Sequence, residues 1–312
     1  MSEHPHNPIN PLPLERRRID IVREAIHLIE SYDLEAVSID DLKSILNRII
    51  LGYSIKAPVP RAGLVVYRCR VSESKPNMLS EVGRPPEHLV LSDQRVNRKN
   101  QSLFYCSLLP GSAIIETSPV VGQHLSIAKW KTKTRTMLNH AGFHEAAMNN
   151  IGSKRSSDTW LKQPEEQDEA TKLVYEFFAK YFVTRNPKNH NLTIAIAETL
   201  FEADLFDALL YPSIADHGYA DNLAIKPRYA DQNLEFVNVQ YGIVKEANEN
   251  EEFYKVDFFD FANSIDGAGR LEWKGRRGQW KSRHQYDSLK TVYIGGGYWD
   301  ATDGEGNPRE ME

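Results

Sequence analysis

The sequence predicts an α+β fold, in which a small helical hairpin precedes a β core with flanking helices. Apolar residues recur at helical spacing near the N-terminus and again in the middle of the chain. Short runs rich in β-branched and aromatic residues lie on both sides of the central helical segment, and such runs are typical of strands. No internal repeat is evident along the 312 residues. One hairpin and one larger domain therefore account for the pattern.

Composition excludes several classes of protein. Hydrophobic residues make up 41% of the chain and charged residues 26%, which is typical of an ordinary globular protein and excludes wholesale disorder. The net charge of -5 gives no global basic field, so no nucleic-acid partner is expected. The two cysteines lie in apolar runs, which favours a reducing compartment. The first residues contain no continuous apolar segment of the kind found in a secretory leader, and no later run reaches the roughly 18 apolar residues that span a bilayer. The protein is therefore predicted to be cytoplasmic and to make no membrane contact.

The N-terminal section is predicted to be helical after a short lead-in. Residues 1–14 contain four prolines and are predicted to be flexible. Residues 15–60 are predicted to form a helical extension, with a first amphipathic helix from Glu15 to Tyr32. A second helix is expected to begin after a Ser38 cap and to end near Leu51.

Residues 61–285 are predicted to form the main domain. The segment Ser112–Thr117 is either a helical turn or a strand. Helices are predicted at Glu165–Thr184 and Leu192–Phe201. Residues 286–312, with three consecutive glycines and an acidic end, are predicted to be a loosely ordered tail. Strands are predicted at Leu64–Val71, Ser102–Leu108, Gln123–Trp130, Leu234–Val244 and Phe253–Phe261, and on both sides of the loop within Leu205–Ile225.

The stretch Gln94–Pro119 carries the most informative mixture of side chains. It places Arg95, Tyr105 and Glu116 around a short apolar strand, and Arg68 lies on the strand before it. Guanidinium groups bind phosphate oxygens in a bidentate way, and an aromatic ring stacks on a base or a nicotinamide. The mixture is therefore suited to a phosphorylated ligand that contains a ring.

Each candidate residue also has an ordinary structural interpretation. Arg68 could be an ion-paired surface residue, and Glu116 could be an exposed carboxylate at an element end. Tyr105 could belong to the core. Ser213 after a proline could be only a turn residue, and Asn222 could bond the loop backbone.

Four separated pieces of the sequence follow one another in a recognisable order. The pieces are Tyr67-Arg68-Cys69-Arg70, Arg95-Val96-Asn97 with Leu103-Phe104-Tyr105, Ile115-Glu116, and Tyr211-Pro212-Ser213 with Asn222-Leu223. Together they resemble the RES domain, a family known as the toxin half of bacterial toxin-antitoxin pairs. The resemblance covers roughly Gly63 to Ile243. Two departures fall in one loop, where Gln94 stands in place of a common Gly and Arg98-Lys99 in place of a common Pro.

The resemblance implies an ADP-ribosyltransferase-like split β core and an enzyme that degrades NAD. Such an enzyme releases nicotinamide and passes ADP-ribose to phosphate or water, so NAD is its substrate and no separate cofactor is expected. An Xre-type helix-turn-helix antitoxin is the implied partner, and self-association is left open. By resemblance, the catalytic residues are Glu116 and Arg68, and the substrate-binding residues are Tyr105, Ser213, Arg95 and Asn222.

Two other functions use the same features. The site could transfer ADP-ribose to a protein or a nucleic acid. Alternatively, the chain could be a non-enzymatic interaction protein that binds through residues 15–51 or through the basic aromatic segment Trp273–Arg283. No metal site is predicted, because Gly142 weakens any helix that would align His140 with His144 and no third ligand pattern follows.

Overall fold

The computed structural model of the protein describes most of the chain. The described residues are 14–53, 57–155, 167–184, 186–201, 205–248, 253–275, 278–281, 290–294 and 298–302. The helices are α1 (Leu14–Glu30), α2 (Ile39–Ile50), α3 (Leu79–Val82), α4 (Pro110–Ile115), α5 (Glu145–Asn150), α6 (Glu169–Phe182), α7 (His190–Phe201) and α8 (Pro227–Asn233). The strands are β1 (Val65–Val71), β2 (Phe104–Ser107), β3 (His124–Thr132), β4 (Leu138–His140), β5 (Ala208–Pro212), β6 (Asp221–Ile225), β7 (Leu234–Asn248), β8 (Phe253–Ile265), β9 (Leu271–Trp273), β10 (Gly278–Lys281), β11 (Lys290–Ile294) and β12 (Tyr298–Thr302).

The helical hairpin α1–α2 is confirmed, including its cap. The Ser38 hydroxyl oxygen accepts a hydrogen bond of 3.1 Å from the backbone N–H of Asp41, which satisfies one of the unpaired donors at the start of α2. The apolar face of α2 is fully buried at Leu42, Leu46 and Ile49. This face packs with α1, α6 and α7 into one hydrophobic cluster, so the hairpin covers the outer side of the helices that lie on the sheet.

Ten of the described strands form one mixed sheet, which confirms the α+β class. The order along the sheet is β10-β8-β7-β3-β1-β2-β6-β5-β4, and β9 pairs with β8 outside this path. The pair β4–β5 is parallel, and the other pairs in this path are antiparallel. The strands that the sequence predicts all occur, with ends shifted by a few residues.

The sheet is divided into two halves at the junction of β1 and β2. β1 pairs with β3 from Val65 to Val71, whereas it meets β2 only at Tyr67 opposite Ser107. The two halves therefore diverge beyond one residue pair and leave an opening between them. This geometry agrees with the split β core that the resemblance implies.

The helices differ from the sequence prediction mainly at their ends. α6 begins at Glu169, because the Asp168 side chain caps it by accepting a 3.0 Å hydrogen bond from the Thr171 N–H. The segment Ser112–Thr117, which the sequence predicts to be either a helical turn or a strand, is helical as far as Ile115, where α4 ends. The short elements β4 and α8 were not predicted, because so few residues carry no measurable period.

The predicted domain boundaries remain predictions. β11 and β12 pair with each other within the segment predicted as a tail, and residues 303–312 lie outside the described part. Residues 1–13 of the predicted lead-in also lie outside it. Among the described helices, none is long and apolar enough to cross a membrane.

A charge cluster fixes the hairpin to the loop of residues 94–101. Arg98 bonds Glu198 of α7 through two nitrogens, at 2.7 and 2.9 Å, and it bonds Asp40 at the start of α2. Lys43 of α2 lies 3.0 Å from the same Glu198 carboxylate. Because Arg98 belongs to the loop that also carries Arg95, the hairpin supports a segment of the candidate site.

We expect the substitution Leu46→Ala to lower the free energy of unfolding by about 2–5 kcal/mol, because Leu46 is fully buried and the change leaves a cavity. Urea denaturation followed by circular dichroism measures the effect. The control is Leu51→Ala, at a residue 78% exposed, which should change stability by less than about 0.5 kcal/mol. Equal effects would mean that α2 does not pack as described.

Candidate active site

A cavity of about 620 Å³ opens where the two halves of the sheet diverge. This volume lies within the range of roughly 300–1,000 Å³ that is usual for ligand sites. Five of the six residues predicted for the site line the cavity, and the sixth, Ser213, lies directly behind one of them. The five lining residues are Arg68, Arg95, Tyr105, Glu116 and Asn222.

Arg68 bridges the divided sheet. Its Nε donates to the Gly83 carbonyl and its Nη1 to the Tyr105 carbonyl of β2, both at 2.9 Å. No carboxylate of the described residues forms an ion pair with this guanidinium, and burial lowers the pKa of Arg68 from its usual value. The cation is therefore held by neutral carbonyls at the wall of the cavity, where an anionic ligand would be its counterion.

The loop of residues 94–101 positions two further residues. Arg95 donates to the carbonyl of Phe182, at the end of α6, at 2.7 Å. Asn97 is 2% exposed, and its amide donates to the carbonyls of Arg98 and Gln101 at 2.9 and 2.8 Å. Asn97 thereby closes the loop on itself and keeps Arg95 on the cavity side.

Tyr105 is half-buried, and its hydroxyl proton is already used. The hydroxyl donates to the Asn97 side-chain oxygen at 2.5 Å. Burial raises the pKa of Tyr105 above its usual value, so the phenol remains protonated at neutral pH. A ligand would meet mainly the ring of Tyr105, since Asn97 occupies the O–H bond.

Glu116 directly follows α4 and receives two hydrogen bonds on one oxygen. The Ser213 hydroxyl donates to Oε1 at 2.5 Å and the Asn222 amide donates to the same oxygen at 2.6 Å. The second oxygen, Oε2, accepts no hydrogen bond from the described residues, and Glu116 is exposed to the cavity. The carboxylate is thus fixed through one oxygen and free to bind through the other.

Ser213 and Asn222 act on Glu116 from behind it. Ser213 is fully buried, and its hydroxyl oxygen also accepts a 3.1 Å hydrogen bond from the backbone of Asp216. Asn222 is 5% exposed and lies on β6, paired with Tyr211 of β5 and Ser107 of β2. Both residues therefore orient the carboxylate, and Asn222 also reaches the cavity wall.

The charge of the cavity wall is uneven. Among the described lining residues, Glu116 is the one carboxylate, whereas the guanidinium groups of Arg68 and Arg95 are positive. Such a wall suits a ligand that carries negative charge at one end and develops positive charge at the other.

No group of three or more potential metal ligands occurs among the described residues. His140 lies on β4 and His144 lies directly before α5, so the two histidines do not share a helix.

Tyr211 and His190 are among the residues of the cavity wall that the sequence analysis did not assign to the site. Tyr211 belongs to the piece Tyr211-Pro212-Ser213, which resembles the family, but nothing in the sequence indicated that its side chain lines the cavity. His190 is the first residue of α7, and nothing in the local pattern distinguishes it from an exposed histidine. Burial lowers the pKa of His190, and the charge of Arg95 lowers it further. His190 is therefore predominantly neutral at physiological pH.

Comparison with protein-family models gives a match. The family model described as RES domain matches residues 65–240, which is more than half of the chain. The matched range contains all six residues predicted for the site and excludes the α1–α2 hairpin. No curated protein matches the chain.

Gly142 supports the site through a close contact, and its substitution should be costly. Its φ is +99°, and an added Cβ would lie 2.5 Å from Val183 Cγ2 and 2.9 Å from Cδ of Pro212, the neighbour of Ser213. We expect Gly142→Ala to lower the free energy of unfolding by about 2–5 kcal/mol, the sum of backbone strain and overpacking. Thermal or urea denaturation measures this loss.

The matched control is Gly122→Ala, where φ is +90° and nothing lies within 4 Å of the added Cβ. This change should cost about 1–2 kcal/mol, from backbone strain alone. If the two substitutions destabilise the protein equally, the close approach of Val183 and Pro212 to Gly142 is not real.

Proposed function

The chain belongs to the RES domain family, which is associated with NAD-acting toxins, and on this basis we propose that it degrades NAD. In this proposal the enzyme cleaves the bond between nicotinamide and ribose and passes ADP-ribose to phosphate or water. The observation that carries the proposal is the Glu116 carboxylate, which is fixed through Oε1 and open to the cavity through Oε2. Arg68 and Arg95 line the same cavity and supply the cations that a dinucleotide needs.

Glu116 is the proposed catalytic carboxylate. Cleavage of the nicotinamide–ribose bond passes through a state with positive charge on the ribose ring. A carboxylate that accepts hydrogen bonds from the ribose hydroxyls binds more strongly as this charge develops, so it stabilises the transition state more than the substrate. The two donors on Oε1 keep the group oriented before the substrate arrives.

Arg68 and Arg95 are the proposed ligands of the pyrophosphate. Arg68 has no ion-pair partner among the described residues, and its Nη2 makes no hydrogen bond to them, so these N–H groups can turn towards a phosphate. Tyr105 presents its ring, which can stack on the nicotinamide or the adenine. Ser213 and Asn222 act through Glu116 as positioning residues.

The reaction balances without an added cofactor. The C1′–N bond breaks, and its electron pair goes to the ring nitrogen, which neutralises the pyridinium and releases nicotinamide. An oxygen of phosphate or water forms the new bond to C1′, and an attacking water also loses a proton. Because the leaving group is already cationic, it needs no general acid.

The decisive test is incubation of the purified protein with NAD, with and without phosphate, followed by chromatography of nicotinamide and ADP-ribose products. We expect Glu116→Gln to lower kcat by about a hundred- to a thousandfold, because the neutral amide cannot stabilise the developing charge. The control is Glu246→Gln, an exposed residue of β7 paired with Lys255, which should leave turnover unchanged. A folded protein with no turnover in either condition would contradict the proposal.

NAD labelled in its adenosine half separates the proposed reaction from its alternative. Label confined to small products supports phosphorolysis or hydrolysis, and label on protein or nucleic acid supports ADP-ribosyl transfer. The antitoxin partner is likewise a proposal from the resemblance. Its test is co-expression with a neighbouring helix-turn-helix protein, which should relieve toxicity.

Removal of the Ser213 hydroxyl tests its positioning role. We expect Ser213→Ala to lower kcat by about ten- to a hundredfold, since it removes one hydrogen bond to a charged group, while KM changes little. The matched control is Ser264→Ala, which removes a hydroxyl that donates to Glu272 on the β8–β9 hairpin. If Ser213→Ala instead raises KM and leaves kcat intact, Ser213 contacts the substrate directly.

A further inference from the structure

Tyr211 carries a hydroxyl group that the proposed mechanism does not use. The residue lies on β5, is 6% exposed and lines the cavity. Its ring packs edge-on against Phe182, with 5.4 Å between the ring centroids and 70° between the planes. The ring is therefore held firmly, and the direction of the hydroxyl is fixed with it.

The Tyr211 hydroxyl makes no hydrogen bond to any described residue. Two other tyrosines of the described residues have partners, because Tyr105 donates to Asn97 and Tyr175 donates to the Phe143 carbonyl. Buried polar groups are usually satisfied, so a hydroxyl that is left without a partner calls for a ligand or water.

The Tyr211 hydroxyl is open to the cavity rather than sealed in the core. The hydroxyl of Tyr53 also has no partner among the described residues, but its oxygen is completely enclosed. The hydroxyl oxygen of Tyr211 is not enclosed in this way, and Tyr211 forms part of the cavity wall. A molecule in the cavity is therefore the partner that this hydroxyl can reach.

The surroundings fix the hydroxyl as a donor. Burial raises the pKa of Tyr211 well above its usual value, and the nearby Tyr105 and Glu116 raise it further, while Arg95 acts in the opposite direction. The phenol stays protonated at neutral pH, so it offers an O–H group to an acceptor oxygen.

We propose that Tyr211 is a further substrate-binding residue, whose hydroxyl donates a hydrogen bond to an oxygen of the nicotinamide ribose. The inference rests on the proposed NAD-degrading function. A ribose hydroxyl can donate its one proton to the Glu116 carboxylate and still accept from Tyr211 through a lone pair. A phosphate oxygen can only accept and would be repelled by the carboxylate, so the ribose suits this pair better.

The contact also gives the site a means of discrimination. A ligand without the ribose oxygen leaves the Tyr211 hydroxyl unsatisfied, and sites built to bond a substrate oxygen reject analogues that lack it. ADP-ribose contains this ribose, whereas ADP ends at its second phosphate. The two compounds therefore differ in the group that Tyr211 is expected to bind.

The test measures Kd for ADP-ribose and for ADP by calorimetry with the wild-type protein and with Tyr211→Phe. The substitution removes the hydroxyl but keeps the ring on Phe182, so the melting temperature should be nearly unchanged. We expect ADP-ribose to bind about five- to tenfold more weakly to the variant, from one lost hydrogen bond, and ADP to bind equally to both proteins. The KM for NAD should rise in parallel.

The matched control is Tyr53→Phe, which also removes a hydroxyl without a described partner, from a ring packed edge-on against Phe178. This variant should bind ADP-ribose as the wild type does. Equal ADP-ribose affinity of Tyr211→Phe and wild type would overturn the inference, as would an equal loss for ADP, which would assign the contact to the phosphates or adenosine. A wild-type protein that neither binds these ligands nor consumes NAD would instead overturn the proposed function.

Discussion

The contact between Glu116, Ser213 and Asn222 is the interaction on which the site depends. The three residues come from the end of α4, the loop after β5 and strand β6, and they meet only because β6 pairs with both β2 and β5. A carboxylate with both oxygens free would rotate, whereas two donors on Oε1 direct Oε2 to the cavity. The packing of α4 and the sheet register therefore set the chemistry of the site.

The division of the sheet gives this carboxylate a cavity to face. Arg68 links the two halves at their opening by bonding the β2 backbone, so one residue contributes both to the fold and to the charge of the site. The loop of residues 94–101 is held in part by the α1–α2 hairpin, because Arg98 pairs with Asp40 at the start of α2. Asp40 lies outside residues 65–240, the range that the family model matches. Arg98 thus attaches the α1–α2 hairpin to the loop that carries Arg95.

The helices that the sequence predicted are those with a long, regular pattern. Enough apolar residues to show a helical period occur in the two hairpin helices and in the central helices α6 and α7. The start of α2 was predicted from its Ser38 cap. β4 and α8 are too short for this, and α4 could not be distinguished from a strand because a buried run of three apolar residues fits both. Their conformation depends on what they pack against.

By itself, the sequence determined the α+β class, the family and the side chains of the candidate site, because residue identity fixes charge, hydrogen-bonding capacity and periodicity. Only the tertiary structure decided which atoms of those side chains face a ligand. Ser213 points at Glu116 rather than into the cavity, the Tyr105 hydroxyl is used by Asn97, and the Tyr211 hydroxyl is left open. The reason is physical: these directions follow from strand register and from tertiary contacts that no local pattern encodes, such as the one between Glu116 and Ser213, which are 97 positions apart.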